Sequence, residues 1–181
     1  MKKNDLKRHL STYSIFKKRG TTINHAFASA ISYYGNYDEN EINKALKLLN
    51  QNPNSDLKCV YCNKKAKGWD HLESLVKDGM FTGYGHELGN LVPCCKRCNS
   101  SKGRKNYTAF INGLLIDDEQ KQNLIHKLTN YKNAYSNNII DTKSSHFIVL
   151  TKKYYEIKNQ IFELMKEADL EAEMIREKLK K

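Results

Sequence analysis

The chain is short of several things. No apolar run approaches the roughly 18 residues that cross a bilayer as a helix, so the sequence offers no transmembrane segment. The N-terminal stretch MKKNDLKRHLSTYSIFKKRG is basic, but its charges interrupt any signal-peptide core. Both absences point to a cytoplasmic protein with no membrane partner. Acidic residues are in deficit: 20 Asp and Glu face 31 Lys and Arg, a formal net charge of +11. That excess suits a polyanionic partner, because Lys and Arg contacts to phosphates release condensed counterions. A merely solvated basic surface is the bland alternative. Hydrophobic residues fill 39% of 181 positions, a thin core for one domain, so the 11 Tyr and 6 Phe supply much of its bulk. Five cysteines leave one over, which argues against a disulfide framework. Proline occurs only twice. Pro53 blocks helix in the loop QNPNSD, and Pro93 pushes the residue before it into extended backbone.

What is present divides into three segments that are expected to form one compact domain: 1–56, 57–107 and 108–181. Residues 1–20 carry Lys2, Lys3, Lys7, Arg8, Lys17, Lys18 and Arg19 against Asp5 alone and read as a basic arm. Thr21 or Thr22 is expected to cap a helix to about Tyr34, and Asp38 or Asn40 a second one carrying Ile42, Ala45, Leu46 and Leu49. Gly68–Leu72 reads as a strand, Gly79–Gly85 as a loop, and Lys96 to about Tyr107 as a helix weakened near Gly103. Asp117 and Asp118 start another helix. The stretch 146–180 reads as a long amphipathic helix with Tyr154, Ile157, Ile161, Leu164, Ala168, Ala172, Ile175 and Leu179 on one side. That stripe packs on its own domain or pairs two chains in a homodimer. No internal repeat is present.

The chemistry is concentrated in the run from Cys59 to Lys102, CVYC…WDHLESLV…GHELGNLVPCCKRCNSSK. Cys59, Cys62, Cys95 and Cys98 have the paired two-residue spacing of a closed, structural zinc site with four thiolates. Cys94 would need a different spacing and is assigned to the core as a small hydrophobe. Asp70 offers a carboxylate for a hard cation, and His71 an imidazole to act as general base on a water. Adjacent strand residues point to opposite faces and do not normally serve one site; a bend or bulge at the strand end would let both face one phosphate. Asn99, directly after Cys98, is a second oxygen ligand for the same cation. Asn90 is placed to brace the loop that bears His71. Lys96, Arg97, Lys102, Arg104 and Lys105 form a basic run suited to phosphate contacts. His86 is either a phosphate or leaving-group contact or an ordinary loop histidine. Trp69 and Tyr84 read as packing residues, and no role for Glu73 follows.

The segment resembles an HNH, or ββα-metal, nuclease domain. CVYC, DHL, the Asn of GNLVP, and CxxCN followed by SSKG carry the resemblance, over roughly Cys59 to Gly103. It implies an α+β fold in which a β-hairpin and a helix, clamped by zinc, are embedded in a mainly helical chain. It also implies one catalytic Mg2+ or Mn2+ held by Asp70 and Asn99, with His71 as base and Asn90 as the loop-bracing asparagine. Many members have His where Asn99 stands, so this is an HNN form, similar to phage junction-resolving nucleases and to some HNH restriction enzymes. The implied activity is cleavage of double-stranded DNA to 5′-phosphate and 3′-hydroxyl ends, and the small size and helical flanks are similar to those of stand-alone HNH restriction endonucleases. A junction-resolving or homing nuclease, a non-catalytic zinc-ribbon-like DNA-binding protein and a redox protein are the rival readings.

Overall fold

The computed structural model describes residues 6–180. Lys2, Lys3 and Asp5 of the expected basic arm lie outside the described residues. In chain order the elements are α1 (Leu6–His9), α2 (Ile15–Ile31), α3 (Glu39–Leu48), β1 (Gly68–His71), β2 (Val76–Lys77), β3 (Met80–Phe81), β4 (Leu91–Cys94), α4 (Lys96–Lys102), α5 (Tyr107–Asn112), α6 (Asp118–Tyr135) and α7 (Ser145–Leu179). Helices and two small antiparallel sheets, β1–β4 and β2–β3, make the α+β class expected from the sequence. Contacts group the chain into two compact units. One is Ala28–Thr142; the other joins Met1–Phe27 to Lys143–Lys181.

The unit Ala28–Thr142 is built around the strands and three helices. Asp38 caps α3 by accepting from the backbone N–H groups of Asn40 and Glu41, and Asp117 caps α6 by accepting from Gln120. Leu72, Val92, Ile111 and Leu128 are all 0% exposed, so the strands, α5 and α6 share one core. Fully burying each such side chain is worth about 1.5–3 kcal/mol. Tyr131, 1% exposed on α6, donates its hydroxyl to the Leu91 carbonyl at 2.7 Å and also to that of Leu88. This fixes the 3₁₀ turn Leu88–Asn90 and the start of β4 against α6.

Two local expectations change here. The stretch from Gly79 is not all loop, because β2 and β3 close a hairpin over Asp78 and Gly79, whose φ angles are 51° and 79°. Two successive positive φ values mark the mirror-image turn that suits strand twist, and Asp-Gly is its preferred pair. The helix from Lys96 stops at Lys102, before Gly103, and α5 starts afresh with the Asn106 side chain accepting from the Ala109 N–H.

In the second unit the start of α2 also differs. The helix begins at Ile15 rather than at Thr21 or Thr22, and ends at Ile31. Ser14 Oγ accepts from the Lys17 N–H, while the Asp169 carboxylate of α7 accepts from the N–H groups of Ile15 at 2.6 Å and Phe16 at 3.1 Å. A carboxylate at a helix N-terminus satisfies orphan donors and meets the positive end of the helix dipole. Ser144 caps α7. The less exposed side of α7 carries Tyr154, Lys158, Ile161, Phe162, Met165 and Asp169, whereas Ile157, Leu164, Ile175 and Leu179 of the expected stripe are exposed. Among the described residues, no helix is long and apolar enough to cross a membrane.

Tyr131→Phe removes the hydroxyl that serves the two carbonyls. The expected cost is about 1–3 kcal/mol, the penalty for leaving a buried polar group unsatisfied. Urea unfolding of the variant against the parent measures it.

Candidate active site

β1 and β4 pair antiparallel with Gly68 opposite Cys94, Asp70 opposite Val92 and His71 opposite Leu91. β4 then runs through Cys94 and Cys95 directly into α4. The first cysteine pair lies in a tight turn before β1, closed by the Cys59 N–H to Lys64 carbonyl and Asn63 N–H to Cys59 carbonyl bonds. The Val60 N–H donates to the Pro93 carbonyl and docks this turn on β4. As a result the Sγ atoms of Cys59, Cys62, Cys95 and Cys98 lie within 4.8 Å of one another. Cys62 and Cys95 are 3.7 Å apart at sulfur. A tetrahedral zinc with Zn–S bonds of about 2.3 Å needs sulfurs roughly 3.8 Å apart, so the donor set fits zinc. The group contains Cys95, not Cys94. Cys94 is 1% exposed; its sulfur accepts from the Cys59 thiol at 3.8 Å, and its own thiol donates to the Cys95 carbonyl at 3.4 Å.

Thiol chemistry supports the same reading. The Cys94 thiol beside Cys59 holds the Cys59 pKa down to about 4, whereas burial pushes Cys62 and Cys98 up. Four clustered sulfurs without a cation resist ionising together. A bound divalent cation removes that penalty, because a coordinating thiol is deprotonated outright.

Asp70 is 5% exposed. Its carboxylate accepts from the Tyr61 hydroxyl at 2.9 Å and lies 3.4 Å from the Lys102 ammonium. Burial raises the Asp70 pKa in spite of Lys102 and Tyr61, which both act to lower it. Lys102 also donates to the His71 carbonyl at 2.6 Å, so one ammonium joins both residues of the Asp-His pair. β1 carries no bulge that would turn Asp70 and His71 toward one side, because the ladder stays in register through His71; the chain bends directly after it, at Leu72 and Glu73. Their side chains accordingly have different partners: Asp70 meets Tyr61 and Lys102, while His71 Nε2 is 3.0 Å from His86 Nδ1. Asn99 is exposed, one turn into α4. An ionised carboxylate has about four lone-pair positions, so Tyr61 and Lys102 leave Asp70 capacity for a further hard cation.

Asn90 is 0% exposed. Its Oδ1 accepts from the Glu73 N–H at 2.8 Å, and its Nδ2 donates to the carbonyls of Glu73 at 3.2 Å and Gly85 at 3.0 Å. One amide thus ties the loop after His71 to the loop before His86. Glu73, for which the sequence suggested nothing, pairs with Lys132 of α6 at 2.7 Å. Trp69, expected to pack, is 49% exposed.

Residues 59–105 match the family model for HNH endonucleases. The chain carries an HNH endonuclease domain. No curated protein and no solved structure matches it. The HNH match spans the two cysteine pairs, β1, β4 and α4, which is the ββα arrangement built above. The match is to a family of nucleases and covers residues 59–105 of the 181.

The basic run needs one correction. Lys96, Arg97, Arg104 and Lys105 are exposed, but Lys102 is 2% exposed with its ammonium committed to Asp70 and the His71 carbonyl. It is part of the HNH interior, not of a phosphate-facing surface. Sequence reasoning also missed Tyr61, because nothing in CVYC marks the tyrosine as a partner of Asp70.

Purified protein should contain one zinc per chain, measured by mass spectrometry of the metal. Cys98→Ser should lose the metal and the local fold, since zinc binding in small structural sites contributes about 10 kcal/mol or more of apparent folding free energy. Cys94→Ala should keep the zinc. Loss of zinc in Cys94→Ala with retention in a Cys95→Ser variant would reverse the ligand assignment.

Proposed function

We propose that this protein is a zinc-stabilised, Mg2+- or Mn2+-dependent endonuclease that hydrolyses phosphodiester bonds of double-stranded DNA. The observation that carries the reading is the Asp70–His71 pair ending a strand whose partner leads, through the second cysteine pair, into the helix bearing Asn99. Asp70 and Asn99 are the proposed oxygen ligands of the catalytic cation, which would stabilise charge on the phosphate and the leaving oxygen. His71 takes the proton from the attacking water. Asn90 holds the loop after His71 so that the imidazole stays in place. Attack by water at phosphorus with departure of the 3′ oxygen leaves 5′-phosphate and 3′-hydroxyl ends.

Net charge of +11 supports a polyanionic substrate, and the exposed cations Lys96, Arg97, Arg104 and Lys105 flank α4, where they are proposed to contact backbone phosphates. Restriction of foreign DNA is the proposed role. One HNH site cuts one strand, so double-strand cleavage needs two sites or two visits. Two chains related by a two-fold axis would supply two sites. The exposed Leu164, Ile175 and Leu179 of α7 are available for such pairing.

The rival without catalysis, a zinc-ribbon-like DNA-binding protein, accounts for the cysteines and the charge. It gives no reason to bury Asp70 and Lys102 together, an arrangement whose desolvation cost is several kcal/mol per ion before pairing offsets it.

His71→Ala should reduce plasmid cleavage in Mg2+ or Mn2+ by about 100- to 10,000-fold, the usual worth of a general base. DNA binding and zinc content should persist. Cleavage near the parent rate would remove His71 from the role. No cleavage by the parent protein with either metal, together with tight DNA binding, would favour the non-catalytic rival. A monomer by light scattering, both free and on cleavable DNA, would eliminate the dimer.

A further inference from the structure

The His71 imidazole is not alone in its surroundings. Its Nε2 lies 3.0 Å from Nδ1 of His86, with the rings nearly perpendicular at 72°. His86 is held on every side. Its N–H donates to the Tyr33 carbonyl at 2.8 Å, and its own carbonyl accepts from the Gly35 N–H at 2.9 Å. Its ring stacks on Tyr34 at 4.6 Å, and its Nε2 is 3.3 Å from Ser29 Oγ. The neighbouring Gly85 permits this approach, since a Cβ there would stand 2.5 Å from the Tyr33 carbonyl oxygen. The Gly85 carbonyl in turn accepts from Asn90. A surface loop histidine needs none of this.

We propose that His86 is a positioning residue: its Nδ1 accepts the proton on His71 Nε2 and so fixes His71 in the tautomer that presents the Nδ1 lone pair to the attacking water. The inference rests on the proposed role of His71 as base. A neutral imidazole carries one proton, and the hydrogen bond made by one nitrogen decides which nitrogen is left basic. Because His71 Nε2 faces His86, water must be activated at Nδ1. Were His86 the donor instead, the proton of His71 would sit on Nδ1 and the base would be disabled. Two features favour His86 as acceptor. Burial lowers its pKa, which keeps it neutral near pH 7. Ser29 Oγ, a hydroxyl with acceptor lone pairs, is placed to take the remaining proton from His86 Nε2.

The test joins spectroscopy to kinetics. Nitrogen NMR of the full-length, zinc-loaded parent protein, at a pH about two units above the ordinary histidine value of about 6.5, reads the His71 tautomer directly. The expected result is a proton on His71 Nε2 and a bare Nδ1. The reverse tautomer overturns the proposal, and a misfolded variant cannot obscure this measurement. His86→Phe keeps a ring against Tyr34 but offers no acceptor. It should lower kcat on the order of 10- to 100-fold, the usual loss when the partner orienting a working histidine is removed, with KM and zinc content little changed. His86→Asn places an amide oxygen near the lost Nδ1 and should restore most of kcat. Equal kcat in His86→Phe and the parent overturns the proposal, as does His86→Asn no better than His86→Phe. If His71→Ala also cleaves normally, the general-base reading itself fails, an outcome separable from failure of the His86 contact because the tautomer is measured independently of turnover.

Discussion

Everything in the HNH domain depends on four sulfurs being brought within 4.8 Å of one another. Two of them lie in a turn before β1 and two at the junction of β4 and α4, so a zinc held there would tie the start of β1 to the end of β4 and the entry of α4. Neither β-strand is long enough to be stable by itself; β1 and β4 have four residues each, and isolated two-stranded pairs are marginal in water. The shared core beneath the short sheet, with Leu72, Val92, Ile111 and Leu128 excluded from solvent, supports it, and a zinc on the four sulfurs would hold it further. Rigidity matters because catalytic groups that act through hydrogen bonds must be held close to their working geometry.

On that frame the two residues of the Asp-His pair are handled oppositely. Asp70 is sunk into a buried polar cluster with Tyr61 and Lys102, and His71 is turned to a second histidine. Lys102 links them by holding the Asp70 carboxylate and the His71 carbonyl at once. A lysine ammonium beside a buried carboxylate lowers the cost of keeping that carboxylate ionised inside the protein. Asn90 and Gly85 then connect the loop after His71 to the segment carrying His86, so the two imidazoles are positioned by one buried amide.

Much of this was legible in the sequence for chemical reasons. Zinc thiolates need Cys at fixed spacing, and Asp38 and Asp117 announce the helices they cap because a short side chain must reach N–H groups two or three residues on. The unreadable parts depend on distance along the chain or on rare burial. The cap of α2 comes in part from Asp169, 154 residues after Ile15. Lys102 looked like a phosphate contact because lysine is almost never fully buried unless paired, and its partner is 32 residues away. The β2–β3 hairpin carried its Asp-Gly signal openly, but strands of two residues show no alternation to read. His86 lies 15 residues from His71, and no spacing rule joins them.

Crystals of the protein grown with Zn2+ and Mn2+ and measured at both absorption edges test the proposed two-metal arrangement most directly. Anomalous scattering should place one zinc among Cys59, Cys62, Cys95 and Cys98, and a manganese coordinated by Asp70 and Asn99. Manganese bound elsewhere, with Asp70 still shared only by Tyr61 and Lys102, would contradict the assignment of these residues as the catalytic metal ligands.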